Sequence, residues 1–129
     1  MKKITLFFML AFCLSMVGCS KDAEINAFLT EWDTVTNEMV QKINAGDVDG
    51  AKTVFDGKKE NLKTKWAGIK DAKGFQVSAD TKKKMTDSVT KNMSALTTAM
   101  TANMVKLMTD KPKMEKLQAL VKEYGEIFK

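Results

Sequence analysis

Apolar residues recur at steps of three and four through nearly all of the chain after residue 20, and this spacing constrains the fold more than any other feature. Such steps place apolar side chains along one face of an α-helix, whereas a half-buried strand would alternate apolar and polar residues. No segment of useful length shows that alternation. The pattern therefore predicts an all-α protein.

Residues that begin or end helices divide this pattern into four parts. Gly46 stands where a left-handed residue would end the first helix, and Asp47 can cap the second. Ser78 can cap the third helix, and Asp110–Pro112 separates the third from the fourth, because proline suits a first turn. The apolar positions of the four predicted helices are, in order, Ile25, Phe28, Leu29, Trp32, Val35, Met39, Val40 and Ile43; Val48, Ala51, Val54, Phe55, Leu62, Trp66 and Ile69; Met85, Val89, Met93, Leu96, Met100, Met104 and Met108, with Val105 and Leu107 broadening this face; and Met114, Leu117, Val121, Tyr124 and Phe128.

The connections between these predicted helices are short, and short connections make successive helices antiparallel neighbours. We therefore expect an up-and-down antiparallel bundle of three long helices plus a shorter C-terminal fourth helix. A length of 129 residues suits one domain and is too little for two. Trp32, Trp66 and Tyr124 lie on the predicted apolar faces, so we expect them in the core with partners for their N–H and O–H groups.

The first residues have the pattern of an export signal. Lys2 and Lys3 precede an apolar run over residues 4–17, which ends in Gly18-Cys19. The run is shorter than the stretch of about 20 residues that spans a membrane, and it has the size of a signal-peptide core. This segment resembles the signal class of bacterial lipoproteins, in which a small residue precedes the cysteine that becomes lipidated.

The resemblance implies a processed and lipid-anchored chain. Residues 1–18 would be a cleaved signal peptide, and residues 19–129 a single lipid-anchored helical-bundle domain. Cys19 would carry fatty acyl chains that attach the protein to the membrane of the cell envelope. Ser20, directly after that cysteine, resembles the residue that sends such proteins to the outer membrane of a Gram-negative host. Cys13 would leave with the signal, so the mature domain would hold no free thiol.

A lipid on Cys19 would hold the domain close to the membrane, because only a few residues separate it from the first predicted helix. In an up-and-down bundle the start of the first helix and the connector between the second and third helices share the membrane-facing end. That end carries the apolar residues Phe75 and Val77. Its lysines suit an anionic surface, although a short lysine run is also typical of a solvated helix start. They are Lys21, Lys70, Lys73, Lys82, Lys83 and Lys84.

The composition excludes several classes of function. The chain contains no histidine and no arginine, so it lacks the commonest metal ligand, the usual acid–base group near neutral pH and the bidentate phosphate donor. No catalytic triad or phosphate-loop motif occurs. The net charge of +5 comes from lysines without an aromatic platform, and an exported chain would not meet cytoplasmic nucleic acid. We therefore expect no enzyme, no cofactor and no nucleic-acid partner.

Met100, Met104 and Met108 follow one another at four-residue steps in the third predicted helix. Thioether sulfurs bind soft ions such as Cu(I), and this spacing could bring two or three sulfurs to one ion. The same positions also continue an apolar face, and methionine is a common filler of cores. We expect these residues to pack in the core, with a soft-metal site or an apolar-ligand pocket as the alternatives.

Taken with the signal, these features predict a small membrane-anchored lipoprotein of the cell envelope. It would act as a non-catalytic binding or scaffolding module. Its partners would be the membrane, through lipidated Cys19, and an envelope protein.

Overall fold

The computed structural model describes residues 20–129, and the regular structure within this range is helical. This confirms the all-α prediction. No helix in the range is long and apolar enough to cross a membrane. The elements are α1 (Asp22–Asn44), α2 (Val48–Ile69), a 3-10 turn (Gly74–Gln76), α3 (Ala79–Leu107), α4 (Lys111–Gly125) and a second 3-10 turn (Glu126–Phe128).

The helix boundaries follow from local chemistry. Asp47, Ser78 and Asp110 each precede a helix, and each side chain accepts a hydrogen bond at 2.8–3.2 Å from the backbone N–H three residues later. Gly46 has a φ of 77°, the left-handed conformation that glycine adopts without strain. These four predicted boundary residues are confirmed.

Helix α1 packs along both α2 and α3, and α4 packs against the same two helices. Three hydrogen bonds join α1 to α3 at their starts, middles and ends. They are Ser78 N–H to Asp22 Oδ1 at 2.8 Å, Asn92 Nδ2 to Asp33 Oδ1 at 2.7 Å, and Asn103 Nδ2 to Asn44 Oδ1 at 3.1 Å. The partners are 56, 59 and 59 residues apart in sequence, so α1 and α3 run in the same direction and in register.

The C-terminal turn is held by aromatic rings of α1 and α2. The ring of Phe128 lies 5.1 Å from those of Trp32 and Trp66 and 6.1 Å from that of Phe28, each time nearly edge-to-face. Trp32 is buried and Trp66 is partly buried against the core, as predicted. Neither indole N–H has a hydrogen-bond partner among residues 20–129, so the expected partners are wrong for both. The ring of Phe128, which packs against both indoles, carries no acceptor oxygen.

Tyr124 is buried, and its hydroxyl shares a hydrogen bond of 2.6 Å with the buried hydroxyl of Thr36. Burial raises the pKa of Tyr124 to about 12, against the opposing effect of the Thr36 hydrogen bond. The phenol is therefore a neutral core group that joins α4 to α1.

The predicted apolar face of α3 is wrong in part. Leu96 and Leu107 are buried, and Met85 and Met100 are partly buried against the core. The other predicted positions are exposed, namely Val89, Met93, Met104, Val105 and Met108. The physical reason is that α1 offers polar partners to the adjacent face of α3, which α3 therefore turns inward. The residues of α3 that are buried are Thr81, Ser88, Asn92, Leu96, Ala99, Asn103 and Leu107.

Phe128 and Phe75 allow a matched test of the C-terminal turn. We expect F128A to lower the free energy of unfolding by about 2–3 kcal/mol, because it removes a ring packed among three others. F75A removes the same atoms from an exposed position and should change it by less than about 0.5 kcal/mol. Urea denaturation of both variants measures the difference, and equal losses would contradict the packing of the turn.

Candidate functional site

The structure places two of the three methionines of the predicted soft-metal alternative at the surface. Met104 and Met108 are 42% and 70% exposed, whereas Met100 is partly buried against the core. Their four-residue steps on α3 keep the three side chains on neighbouring turns of one helix. The predicted lipidation site, Cys19, lies outside the described residues.

Large exposed apolar side chains are concentrated on α3. Five side chains of this kind project from it, with exposures between 42% and 73%, and the partly buried Met100 adjoins them. We call this surface the α3 face. It consists of Val89, Met93, Met104, Val105 and Met108.

The central part of the α3 face, from Met93 to Val105, is also depleted of charge. Residues 92–105 contain no acidic or basic side chain, and Lys91 and Lys106 flank them. The other exposed residues of this stretch are serine, threonine and alanine. Charge depletion and methionine enrichment distinguish the central parts of protein interfaces from the rest of a protein surface. The α3 face therefore has the composition of a binding surface.

A polar cleft of about 630 Å³ lies between α1 and α3. Its central group is Asp33, whose carboxylate accepts hydrogen bonds from Asn92 at 2.7 Å and Ser88 at 3.4 Å. Lys91 Nζ lies 3.9 Å from the same carboxylate. The Asp33 carboxylate is therefore already paired with side chains of α3, and these contacts join the two helices.

The carboxylates of the described residues are not arranged for metal binding. No group of three or more histidine, cysteine, aspartate or glutamate side chains between residues 20 and 129 could hold an ion. A hydrogen bond from the Ser78 backbone lowers the pKa of Asp22, and the Lys116 ammonium lowers the pKa of Asp49. A lowered pKa keeps a carboxylate ionised, which is the opposite of what an acid catalyst needs.

A second surface lies at the end of the molecule where α1 and α3 begin. The backbone N–H of Lys21 donates to the carbonyl oxygen of Gln76 at 2.9 Å, which ties the start of α1 to the connector. The expectation that these two segments share one end is confirmed. Phe75 projects from the connector and is 87% exposed. We call this surface the connector end; it comprises residues 20–22 and 70–84.

Sequence reasoning missed the exposure of the α3 face. The apolar periodicity is genuine, and it placed Val89, Met93 and Met104 in the core. One signal could have corrected it, namely the absence of charge over residues 92–105 together with many hydroxyl side chains. Without charged residues, neither face of such a segment is marked as solvent-exposed, so the contrast that normally identifies a buried face is weak.

Comparison of the chain with models of protein families, with curated proteins and with solved structures gives no match. What the chain binds must therefore be argued from its own residues.

Two substitutions on neighbouring turns test which side of α3 is exposed to solvent. M93K places a charge on the α3 face and should change the free energy of unfolding by less than about 0.5 kcal/mol. L96K buries an unpaired charge among core residues and should cost at least about 3 kcal/mol. Chemical denaturation measures both variants, and a loss with M93K equal to that with L96K would show that Met93 is a core residue.

Proposed function

We propose that this chain is a lipid-anchored lipoprotein of the cell envelope that binds a protein partner through the α3 face, without catalysis. The observation that carries the proposal is the α3 face itself, whose central residues Met93, Met104 and Val105 are exposed apolar side chains on a stretch without charge. Exposed apolar side chains that cluster on one surface mark interaction sites, because their removal from water favours association. Flexible methionine side chains adapt to the shape of a partner.

The finer architecture of the proposal is the up-and-down antiparallel bundle. Ion pairs between α1 and α2 support it, since Glu31 early in α1 pairs with Lys65 late in α2, while Lys42 near the end of α1 pairs with Asp47 just before α2. The common direction of α1 and α3 supports it as well. In this arrangement α4, with 15 residues, is the short fourth helix and leaves part of the longer α3 uncovered.

The proposed location follows from the signal pattern over residues 1–18 and the expected lipid on Cys19. The host membrane would be the outer membrane if the host is Gram-negative. The protein is extracted from its own membrane in mild detergent and weighed by native mass spectrometry. We expect the loss of residues 1–18 and added mass of acyl chains, whereas an intact N-terminus without lipid would overturn the proposed anchor.

Crosslinking in living host cells tests the proposed binding surface. A photoreactive amino acid at position 93 or 105 should give one reproducible adduct, because both side chains project from the α3 face. The same amino acid at exposed Thr53 on α2 is the control and should not give that adduct. With the photoreactive amino acid at position 108 instead, the double substitution M93K/V105K should abolish the adduct, while leaving the protein folded and in the membrane fraction. An adduct that persists would place the contact elsewhere.

A second candidate function is the binding of a soft metal such as Cu(I) by Met100, Met104 and Met108. The observation that favours it is that Met104 and Met108 are solvent-exposed on neighbouring turns, so that their thioether sulfurs can reach an ion from water. Methionine side chains packed in the core would have to leave it before their sulfurs could bind an ion from solution.

The metal candidate makes a separate prediction. The triple substitution M100L/M104L/M108L keeps the helix and its apolar surface but removes the three sulfurs, so it should weaken Cu(I) binding at least tenfold. M114L removes one sulfur from α4 and is the matched control. Competition with a chromogenic Cu(I) chelator measures the affinity. Equal affinity of the triple variant and the unchanged protein would eliminate the metal site.

A further inference from the structure

We propose that the connector end lies in the headgroup region of a phospholipid bilayer, with the ring of Phe75 inserted below the headgroups. This inference rests on the proposed lipid anchor and adds a second contact with the same membrane. Phe75 is the most exposed large apolar side chain of the described residues. An aromatic ring left in water gains free energy by entering the interfacial zone of a bilayer.

The backbone holds the Phe75 ring outward on a fixed support. Phe75 belongs to the 3-10 turn Gly74–Gln76, in which Gln76 N–H donates to Lys73 O at 2.9 Å and Lys73 N–H donates to Gln76 Oε1 at 2.8 Å. At the end of this turn and directly after it, hydrogen bonds from Lys21 to Gln76 and from Ser78 to Asp22 tie the connector to α1. Insertion of the ring would therefore cost little conformational entropy, because the turn is already ordered.

Covalent geometry places this support beside the expected lipid. Consecutive Cα atoms are 3.8 Å apart, so the Cα of Cys19 lies within about 8 Å of that of Lys21, whatever the conformation between them. Lys21 is hydrogen-bonded to the residue after Phe75. Acyl chains on Cys19 would therefore enter the bilayer next to this turn, and the connector end could not move far from the surface.

The charge of the connector end complements anionic lipid. Residues 70–84 contain five lysines and two aspartates, and all seven side chains are exposed. Lys83 is paired with Asp87 at 2.6 Å, whereas its neighbours Lys82 and Lys84 have no carboxylate within 4.0 Å of their Nζ atoms among residues 20–129. Lysines near an anionic membrane surface each strengthen binding by up to about fivefold. A protein partner at this end would have to fit between the domain and its own anchor, so lipid is the occupant that the geometry favours.

We call the proposed contact of the connector end with the bilayer the seating. The seating would also orient the α3 face. Helix α3 begins at this end and runs away from it in the same direction as α1. The face would then extend from Val89, nearer the bilayer, to Met108, farther from it. The lipid contact and the proposed protein contact would use different surfaces and could operate together.

Spin labelling of the mature, membrane-extracted protein in vesicles of phosphatidylethanolamine and phosphatidylglycerol tests the seating. A nitroxide attached to F75C should collide with oxygen in preference to a water-soluble nickel complex, as groups below the headgroups do. A nitroxide on T109C, in the exposed turn after α3, is the control and should prefer nickel. The preference at position 75 should weaken in vesicles of zwitterionic lipid alone. Nickel access at position 75 equal to that at position 109 would overturn the seating.

Two further readouts separate failure of this inference from failure of the proposed anchor. Unsubstituted protein that floats with the vesicles and takes no thiol label has its lipid on Cys19. If the unsubstituted protein passes this test, nickel access to the nitroxide of the F75C variant would overturn the seating alone. Protein that neither floats nor lacks a free thiol would overturn the anchor, and the seating with it. The nitroxide at position 75 could be accessible to the nickel complex in vesicles and yet be shielded from both oxygen and nickel in host membranes. In that case a protein covers the connector end, and the proposed contact with lipid is wrong.

Discussion

The hydrogen-bonded pairing of α1 with α3 is the interaction on which the rest of the structure depends. Asp33 and Asn44 on α1 accept from Asn92 and Asn103 on α3, and both asparagines are buried. Rotating α3 to bury its methionines instead would take the Asn92 and Ser88 donors away from Asp33 and cover its carboxylate with apolar side chains. A buried polar group that loses its partner costs about 1–3 kcal/mol. The pairing therefore fixes both the direction of α3 and the face that it turns inward.

The two candidate surfaces follow from this pairing. Because α3 turns its polar side toward α1, its apolar residues are left to the solvent and form the α3 face. Because α3 runs in the same direction as α1, the connector returns to the residues next to Cys19 and carries Phe75 there. The proposed partner surface and the proposed lipid contact thus have one structural origin. The aromatic contacts of Phe128 do not compete with this arrangement, since they join the C-terminal turn to α1 and α2.

Most of the secondary structure could be predicted because it depends on neighbours in sequence. Asp47, Ser78 and Asp110 cap helices through their own backbone three residues on, and Gly46 turns the chain without help from distant residues. The core faces of α1 and α2 were also predicted well, because large apolar side chains there stand against charged ones on the opposite side. The lack of hydrogen-bond partners for the indole N–H groups of Trp32 and Trp66 was not predicted, because whether an acceptor lies nearby depends on the side chains packed around them.

The sequence by itself determined that residues 20–129 are helical, where three of the four helices begin, and that the chain contains no histidine or arginine. Only the tertiary structure decided which side of α3 is buried. Over residues 92–105 two asparagines are buried, whereas Met93, Met104 and Val105 are exposed, so apolar periodicity indicated the wrong side. The choice came from α1, whose Asp33 and Asn44 lie nearly 60 residues away in sequence and provide the hydrogen-bond partners that only one face of α3 can use.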